Sequence, residues 1–241
     1  MCIDCGCAER TEQAHHHHDQ NQAGRTIRVG EDLLAKNDRL AAVNRARFAE
    51  YGLLTLNLVS SPGSGKTTLL ETTLRALSNE LRFAVLEGDQ QTANDAERIA
   101  ATGVPAHQIN TGAGCHLDAH MVGHGVDHFD LANLDVLLIE NVGNLVCPAS
   151  FDLGEDCKVA VLSITEGEDK PLKYPQMFRA AELVIINKLD LLPHLDFDLE
   201  TCRDYLRQVN PQARVIELSC KSGAGMETWY NWLREQVAKK K

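Results

Sequence analysis

The sequence predicts an α/β fold built on a mostly parallel, doubly wound sheet, and three observations support it. Short apolar runs of strand length recur at 53–59, 83–87, 136–139, 159–164, 183–187 and 214–218. They are apolar throughout instead of alternating, as strands covered on both faces are, and helix-like stretches separate them in the rhythm of a parallel sheet. The first run ends in the glycine-rich loop Ser60-Ser61-Pro62-Gly63-Ser64-Gly65-Lys66-Thr67-Thr68, which opens directly onto a helix-forming stretch.

Composition narrows the function classes. A chain of 241 residues with 44% hydrophobic content can bury a substantial core. No internal repeat is visible, and no second domain boundary follows residue 52. Twenty-four basic against 34 acidic side chains leave a net charge of −10, the wrong sign for gripping a phosphodiester backbone, so no nucleic-acid partner is expected. The longest apolar runs fall far short of the roughly 20 residues that span a bilayer, so no membrane association is expected either. The polar, cysteine-rich opening does not read as a secretory leader. The expected location is cytoplasmic, where reduced thiols serve as metal ligands and not as staples.

The chain opens with Cys2, Cys5 and Cys7 in a Cys-x-x-Cys-Gly-Cys cluster. Three close, soft thiolates suit nickel or zinc, with Gly6 allowing the turn and the α-amine available as a fourth donor. Incidental cysteines in a tail and a redox Cys-x-x-Cys pair are the competing readings. His15, His16, His17 and His18 follow within a polar stretch and read as a looser metal store, with an expression tag as the rival. Residues 31–50 then place Leu33, Leu34, Leu40, Ala41, Val43 and Phe48 at near-helical spacing, an amphipathic helix closed by Gly52.

The loop after the first strand is a P-loop in its proper setting, and makes this a P-loop NTPase fold. Gly63, Ser64, Gly65, Lys66, Thr67 and Thr68 are the phosphate-cradle candidates: backbone N–H groups curl around phosphate oxygens, Lys66 reaches the β- and γ-phosphates, and the Thr67 hydroxyl ligates magnesium. Ser60 stands where the motif has its first glycine. Asn187-Lys188-Leu189-Asp190 follows the fifth apolar run and matches the Asn-Lys-x-Asp element of guanine-nucleotide proteins. The Asp190 carboxylate can accept from guanine N1 and N2, a donor pair adenine lacks, so the pattern favours GTP and GDP over adenine nucleotides. Ser219, Cys220 and Lys221, after the last run, form the expected guanine-side loop.

Asp89 and Glu140 project from carboxyl ends of strands, where open α/β sheets bind ligands, and are candidate magnesium ligands; helix-capping surface acids are the alternative. Glu140-Asn141-Val142-Gly143 resembles a D-x-x-G switch with Glu in place of Asp, and Gly143 is placed to donate its amide to a γ-phosphate. Lys66 and Asp89 are the candidate catalytic residues, Asp89 as a group to orient the attacking water, and no general base is assigned. Asp95 reads equally as the start of a helix.

A second metal constellation lies between these motifs. Cys115 precedes His116, His120 and His124, whose i, i+4, i+8 spacing places three imidazoles on one helix face, with His128 in the same register. Cys147, seven residues after Glu140, would tie a metal held there to the switch. Cys157, Cys202 and Cys220 read as buried small hydrophobes.

Taken together, these motifs in this order resemble the hydrogenase nickel-incorporation GTPases, the HypB family, essentially end to end. The resemblance implies a signal-recognition-particle/MinD-like GTPase class and a slow, regulatory hydrolase of the GTP β–γ phosphoanhydride. It also implies a metallochaperone that assists nickel insertion into the [NiFe] hydrogenase large-subunit precursor, with GTP-dependent homodimerisation and a partner metallochaperone of the HypA type. Carried over by position, it puts a high-affinity nickel site on Cys2, Cys5 and Cys7 and a nickel or zinc site on Cys115, His116 and Cys147. The expected organisation is a flexible, disordered metal-binding tail over 1–28 and a GTPase domain over 29–241 led by the amphipathic helix.

Overall fold

The structure is a computed structural model, and it describes residues 19–89, 94–112 and 114–241. Cys2, Cys5, Cys7 and His15 to His18 lie outside the described residues. Seven strands, β1 (Leu54–Ser60), β2 (Phe83–Asp89), β3 (Ala106–Asn110), β4 (Val136–Glu140), β5 (Cys157–Ser163), β6 (Leu183–Asn187) and β7 (Arg214–Glu217), form one sheet in the order β3-β2-β4-β1-β5-β6-β7. Every neighbouring pair is parallel, as the continuously apolar runs predicted, so all carboxyl ends lie along one edge.

Helices cover both faces. They are α1 (Asp19–Glu50), α2 (Lys66–Leu77), α3 (Asn94–Ala100), α4 (Ala119–Gly125), α5 (Cys147–Ser150), α6 (Lys170–Lys173), α7 (Pro175–Ala180), α8 (Leu199–Val209) and α9 (Met226–Lys240). One face of the sheet packs Leu56, Leu58, Val85, Leu138 and Ile185 against Leu70 and Leu74 of α2 and Trp229 and Leu233 of α9. The Trp229 indole stays satisfied in this core by donating to Thr73 Oγ1 at 2.8 Å. The opposite face buries Leu86, Leu137 and Ile139 under Phe48 of α1 and Val122 of α4, and buries Leu162, Val184 and Ile186 under Phe178 and Leu206. No helix among the described residues is long and apolar enough to cross a membrane.

Two elements differ from the sequence reading. Strand β3 falls in no predicted run, because Ala-His-Gln-Ile-Asn is half-buried and mostly polar; pairing with the edge of β2 makes it a strand, from Val85↔Ala106 to Asp89↔Asn110. Helix α1 begins at Asp19, ahead of the amphipathic stretch recognised at 31, so the expected boundary at 28/29 falls inside it.

Two buried asparagines bolt α1 to the loops around it. Asn44 Nδ2 donates to the carbonyls of Ala119 at 2.8 Å and Leu153 at 3.0 Å, and Asn37 Oδ1 accepts from the Ala119 N–H at 2.9 Å. Gly154 packs flat on the same helix with φ +93°, where a Cβ would lie 2.7 Å from the Ala41 carbonyl oxygen. Because Asn44 serves two buried carbonyls, Asn44→Ala should lower stability by about 2–3 kcal/mol, seen as a lower urea midpoint with an unchanged slope.

Candidate functional site

At the centre of the carboxyl edge, β1 delivers its chain into the glycine-rich loop. Gly65, at φ +97°, caps the start of α2, and a Cβ there would lie 2.6 Å from Asn187 Nδ2. Only glycine permits both that backbone and that approach. Lys66, nearly buried, donates from Nζ to Ser60 Oγ at 2.8 Å, so the serine at the motif's first glycine position carries a contact of its own. Ser64 Oγ is buried without a hydrogen-bond partner among the described residues, as expected of a hydroxyl that faces a ligand.

The Asn187-Lys188-Leu189-Asp190 segment braces this loop directly. Asn187 Nδ2 donates to the Ser64 carbonyl at 3.0 Å, and Lys188 Nζ donates to the Gly63 carbonyl at 2.6 Å. Lys188 sits at φ 66°, the one non-glycine residue with positive φ among those described. Asp190 Oδ1 accepts from Ser219 Oγ at 2.6 Å, and the Cys220 N–H donates to Asn187 Oδ1 at 3.4 Å. The structure thus gathers Asn187, Lys188, Asp190, Ser219 and Cys220 around one end of the phosphate loop, with Lys221 next in the chain and exposed. Burial pushes the Cys220 thiol up to about 11 and that of Cys202 to about 12, which keeps both protonated; Cys157 is likewise buried and raised.

A cavity of about 530 Å³ runs from this loop, past Thr68, to Asp89, Glu140 and Gly143. Glu140 Oε1 accepts from Thr67 Oγ1 at 2.7 Å, which joins the end of β4 to the first turn of α2. Gly143 lies against Pro62, where a Cβ would approach to 3.1 Å. Thr67, Asp89 and Glu140 offer hydroxyl and carboxylate oxygens, a hard donor set that fits magnesium. The sequence reading missed Glu87, which is 2% exposed, pairs in register with Glu140 and lines the same cavity. An acid near the end of an apolar strand was the available signal. Arg98, which also lines the cavity, donates to Glu71 at 2.9 Å.

The cysteine–histidine constellation assembles only in part. Cys115 Sγ lies 2.7 Å from Cys147 Sγ and 3.6 Å from His116 Nδ1, and the three residues can offer ligand atoms that all fall within 4.8 Å of one another. Burial lowers the His116 pKa and favours the neutral, ligating ring, which also packs on Phe151. The hydrogen bond with Cys115, helped by burial, raises the Cys147 thiol. His116 does not share the helix face of His120 and His124, contrary to the i, i+4, i+8 expectation. Asp118 caps α4 by accepting from the Met121 N–H at 2.8 Å, so the helix starts at Ala119 and His116 stays in the preceding loop. His128 leaves the register too, stacking on His107 at 3.7 Å between ring centroids.

Two tethers join the cluster's loop to the cavity. Asn141 Oδ1 accepts from the Leu117 N–H at 3.1 Å, while its Nδ2 donates to Asn57 Oδ1 at 3.2 Å. On the other side the Thr111 N–H donates to the Asp89 carbonyl at 3.0 Å, and Thr111 Oγ1 donates to the Gly114 carbonyl at 3.0 Å. Cys147 reaches the cluster through the chain that leaves Glu140, so both sides of the cysteine–histidine group hang from strand ends that line the cavity.

Comparison with known proteins identifies the family. Residues 54–217 match the family described as the CobW/HypB/UreG nucleotide-binding domain. The chain is 63% identical over 212 residues to hydrogenase maturation factor HypB of Azotobacter vinelandii, covering 88% of this chain and 70% of that protein. It superposes with a TM-score of 0.81 and 43% identity on the crystal structure of HypB from Helicobacter pylori in complex with nickel, covering 85% of this chain and 96% of that one. A TM-score of 0.52 at 16% identity to the signal recognition particle receptor FtsY from Elizabethkingia anophelis, over 82% and 73% of the two chains, is a likeness of fold alone. The chain belongs to the HypB family of hydrogenase maturation factors.

Proposed function

We propose that this chain is a GTP-hydrolysing nickel metallochaperone that assists nickel insertion into the [NiFe] hydrogenase large-subunit precursor, with GTP-dependent dimerisation controlling metal transfer. The observation that carries the reading is the Asn141 bridge, which places one buried amide between the nucleotide cavity and the loop of Cys115 and His116. GTP reorders the ends of β2 and β4, and the tethered loops reset Cys147 against Cys115 and His116. Two thiolates and an imidazole hold nickel as cargo, and the same donors accept zinc. A HypA-type metallochaperone is the proposed exchange partner, in the cytoplasm.

Each part of the cavity has a proposed task. Backbone N–H groups from Gly63 to Thr68 cradle the phosphates, Lys66 offsets charge developing on the β–γ bridge, and Gly143 donates its amide to the γ-phosphate. Thr67, Asp89 and Glu140 would hold magnesium, which neutralises phosphate charge when bound. Asp89 orients the attacking water. Asp190 accepts from guanine N1 and N2, with Ser219, Cys220 and Lys221 closing the base side.

Lys66→Ala should lower GTP turnover at least about 100-fold in a radiolabelled hydrolysis assay while leaving the far-UV spectrum unchanged. Asp190→Asn should weaken GTP binding at least about 100-fold, because an amide cannot accept both guanine donors. It should restore binding to a xanthine nucleotide, whose second carbonyl accepts where guanine donates; equal loss of both nucleotides would remove the guanine assignment. In full-length protein carrying Cys2→Ser, Cys5→Ser and Cys7→Ser, nickel affinity should differ at least about tenfold between GDP and a non-hydrolysable GTP analogue, a coupling of about 1.4 kcal/mol. Asn141→Ala should shrink that difference to less than about threefold while nickel still binds. Equal nickel affinities in the two nucleotide states would overturn the switch.

A further inference from the structure

Strand β5 carries a lysine where its neighbours are apolar. Lys158 is the second residue of a strand that is buried throughout, and its side chain is only 8% exposed. Val159 and Val161 pack into the core on one face of the sheet and Ala160 and Leu162 into the core on the other, so alternation puts Lys158 on the face that α7 covers. An ammonium taken out of water is costly unless its donors are met.

The groups that meet those donors converge on the cysteine–histidine cluster. Lys158 Nζ donates to the carbonyls of Pro148 at 2.9 Å, Phe151 at 3.2 Å and Ala149 at 3.4 Å, and lies 3.6 Å from Glu155 Oε1. Pro148 and Ala149 belong to α5, the four-residue helix that begins at Cys147 and is too short to satisfy its own carbonyls. Phe151 follows this helix, and its ring packs on His116 at 3.9 Å between centroids. One buried charge therefore holds the backbone beside Cys147 and the residue that packs on His116. Glu155 links the same charge to Asn57, and so to Asn141 and the loop of Cys115.

We propose that Lys158 is a positioning residue for nickel binding: its ammonium fixes Cys147 through α5 and His116 through Phe151, so that both face Cys115 before the ion arrives. This role rests on the nickel-cargo reading above. Lys158 touches no metal. It acts by pre-organising the ligands, and a compact ammonium with three donors suits carbonyls spread around one point, which an apolar side chain would leave unmet.

A double-mutant cycle tests this in full-length protein carrying Cys2→Ser, Cys5→Ser and Cys7→Ser and saturated with GDP. Nickel is titrated by its sulfur-to-metal absorption, to which the histidines of the chain do not contribute. Lys158→Met should weaken nickel binding at least about tenfold while GDP affinity stays within about twofold. In a Cys147→Ser background the same change should weaken it less than about threefold, because the thiol through which it mainly acts is gone. Equal losses in the two backgrounds would mark a general loosening, and an undiminished affinity would mark no role; either would overturn the proposal. Should Lys158→Met fail to bind GDP, Lys158→Gln, which keeps two donors, carries the cycle, with a loss of about fivefold expected against less than about twofold. A parent protein that binds no nickel would overturn the metallochaperone reading and this role together, whereas equal losses on a parent that binds nickel overturn this role alone.

Discussion

The Asn141 side chain is the constraint around which the functional half of the molecule is organised. It is 2% exposed, leaves the end of β4, accepts from the Leu117 and Val142 amides, and donates to Asn57 on β1. Asn57 in turn donates to Glu155 at 3.0 Å, and Glu155 accepts from the Leu153 N–H and pairs with Lys158. A buried polar chain of this kind is costly if any link is unmet, so its members move together or not at all. It ties the loop of Cys115 and His116 to the end of β4 and to β1.

The same economy appears in the way helices hold loops. Asn37 and Asn44 tie α1 to the start of α4 and to the segment at 152–154, and Gly154 lets that segment lie against the helix. The parallel sheet supplies the rest. Because every strand points the same way, Ser60, Asp89, Glu140 and Asn187 all arrive at one edge with no further device. Cross-braces from Asn187 and Lys188 then join the end of β6 to the phosphate loop in one frame.

The histidines that follow Cys115 show how local backbone divides residues of one sequence register. Asp118 begins a helix between His116 and His120, and that single cap separates a ring that meets two thiols from a pair that meets only itself. The inner group is half-buried and soft, and the outer one is exposed and made of imidazole alone.

Continuous apolar runs, the Ser60 to Thr68 loop and Asn187-Lys188-Leu189-Asp190 were enough to determine a parallel α/β sheet, the nucleotide-binding loop and the segment that braces it. Each is a local signal: burial on both faces, glycines at obligatory backbone angles, and a motif contiguous in sequence. Cys115, His116 and Cys147 were legible as metal-ligand types too. Strand β3, the carboxylate of Glu87, the split of His116 from His120 and the bridge through Asn141 were decided only by tertiary structure. In each the determining partner is distant in sequence or, for the split, a helix cap that periodicity does not register: β2 for β3, Glu140 for Glu87, Asp118 for the histidines, Leu117 and Asn57 for Asn141. Periodicity and motif spacing record what a residue is and what stands beside it, whereas these features depend on which buried polar groups find one another once the sheet has closed.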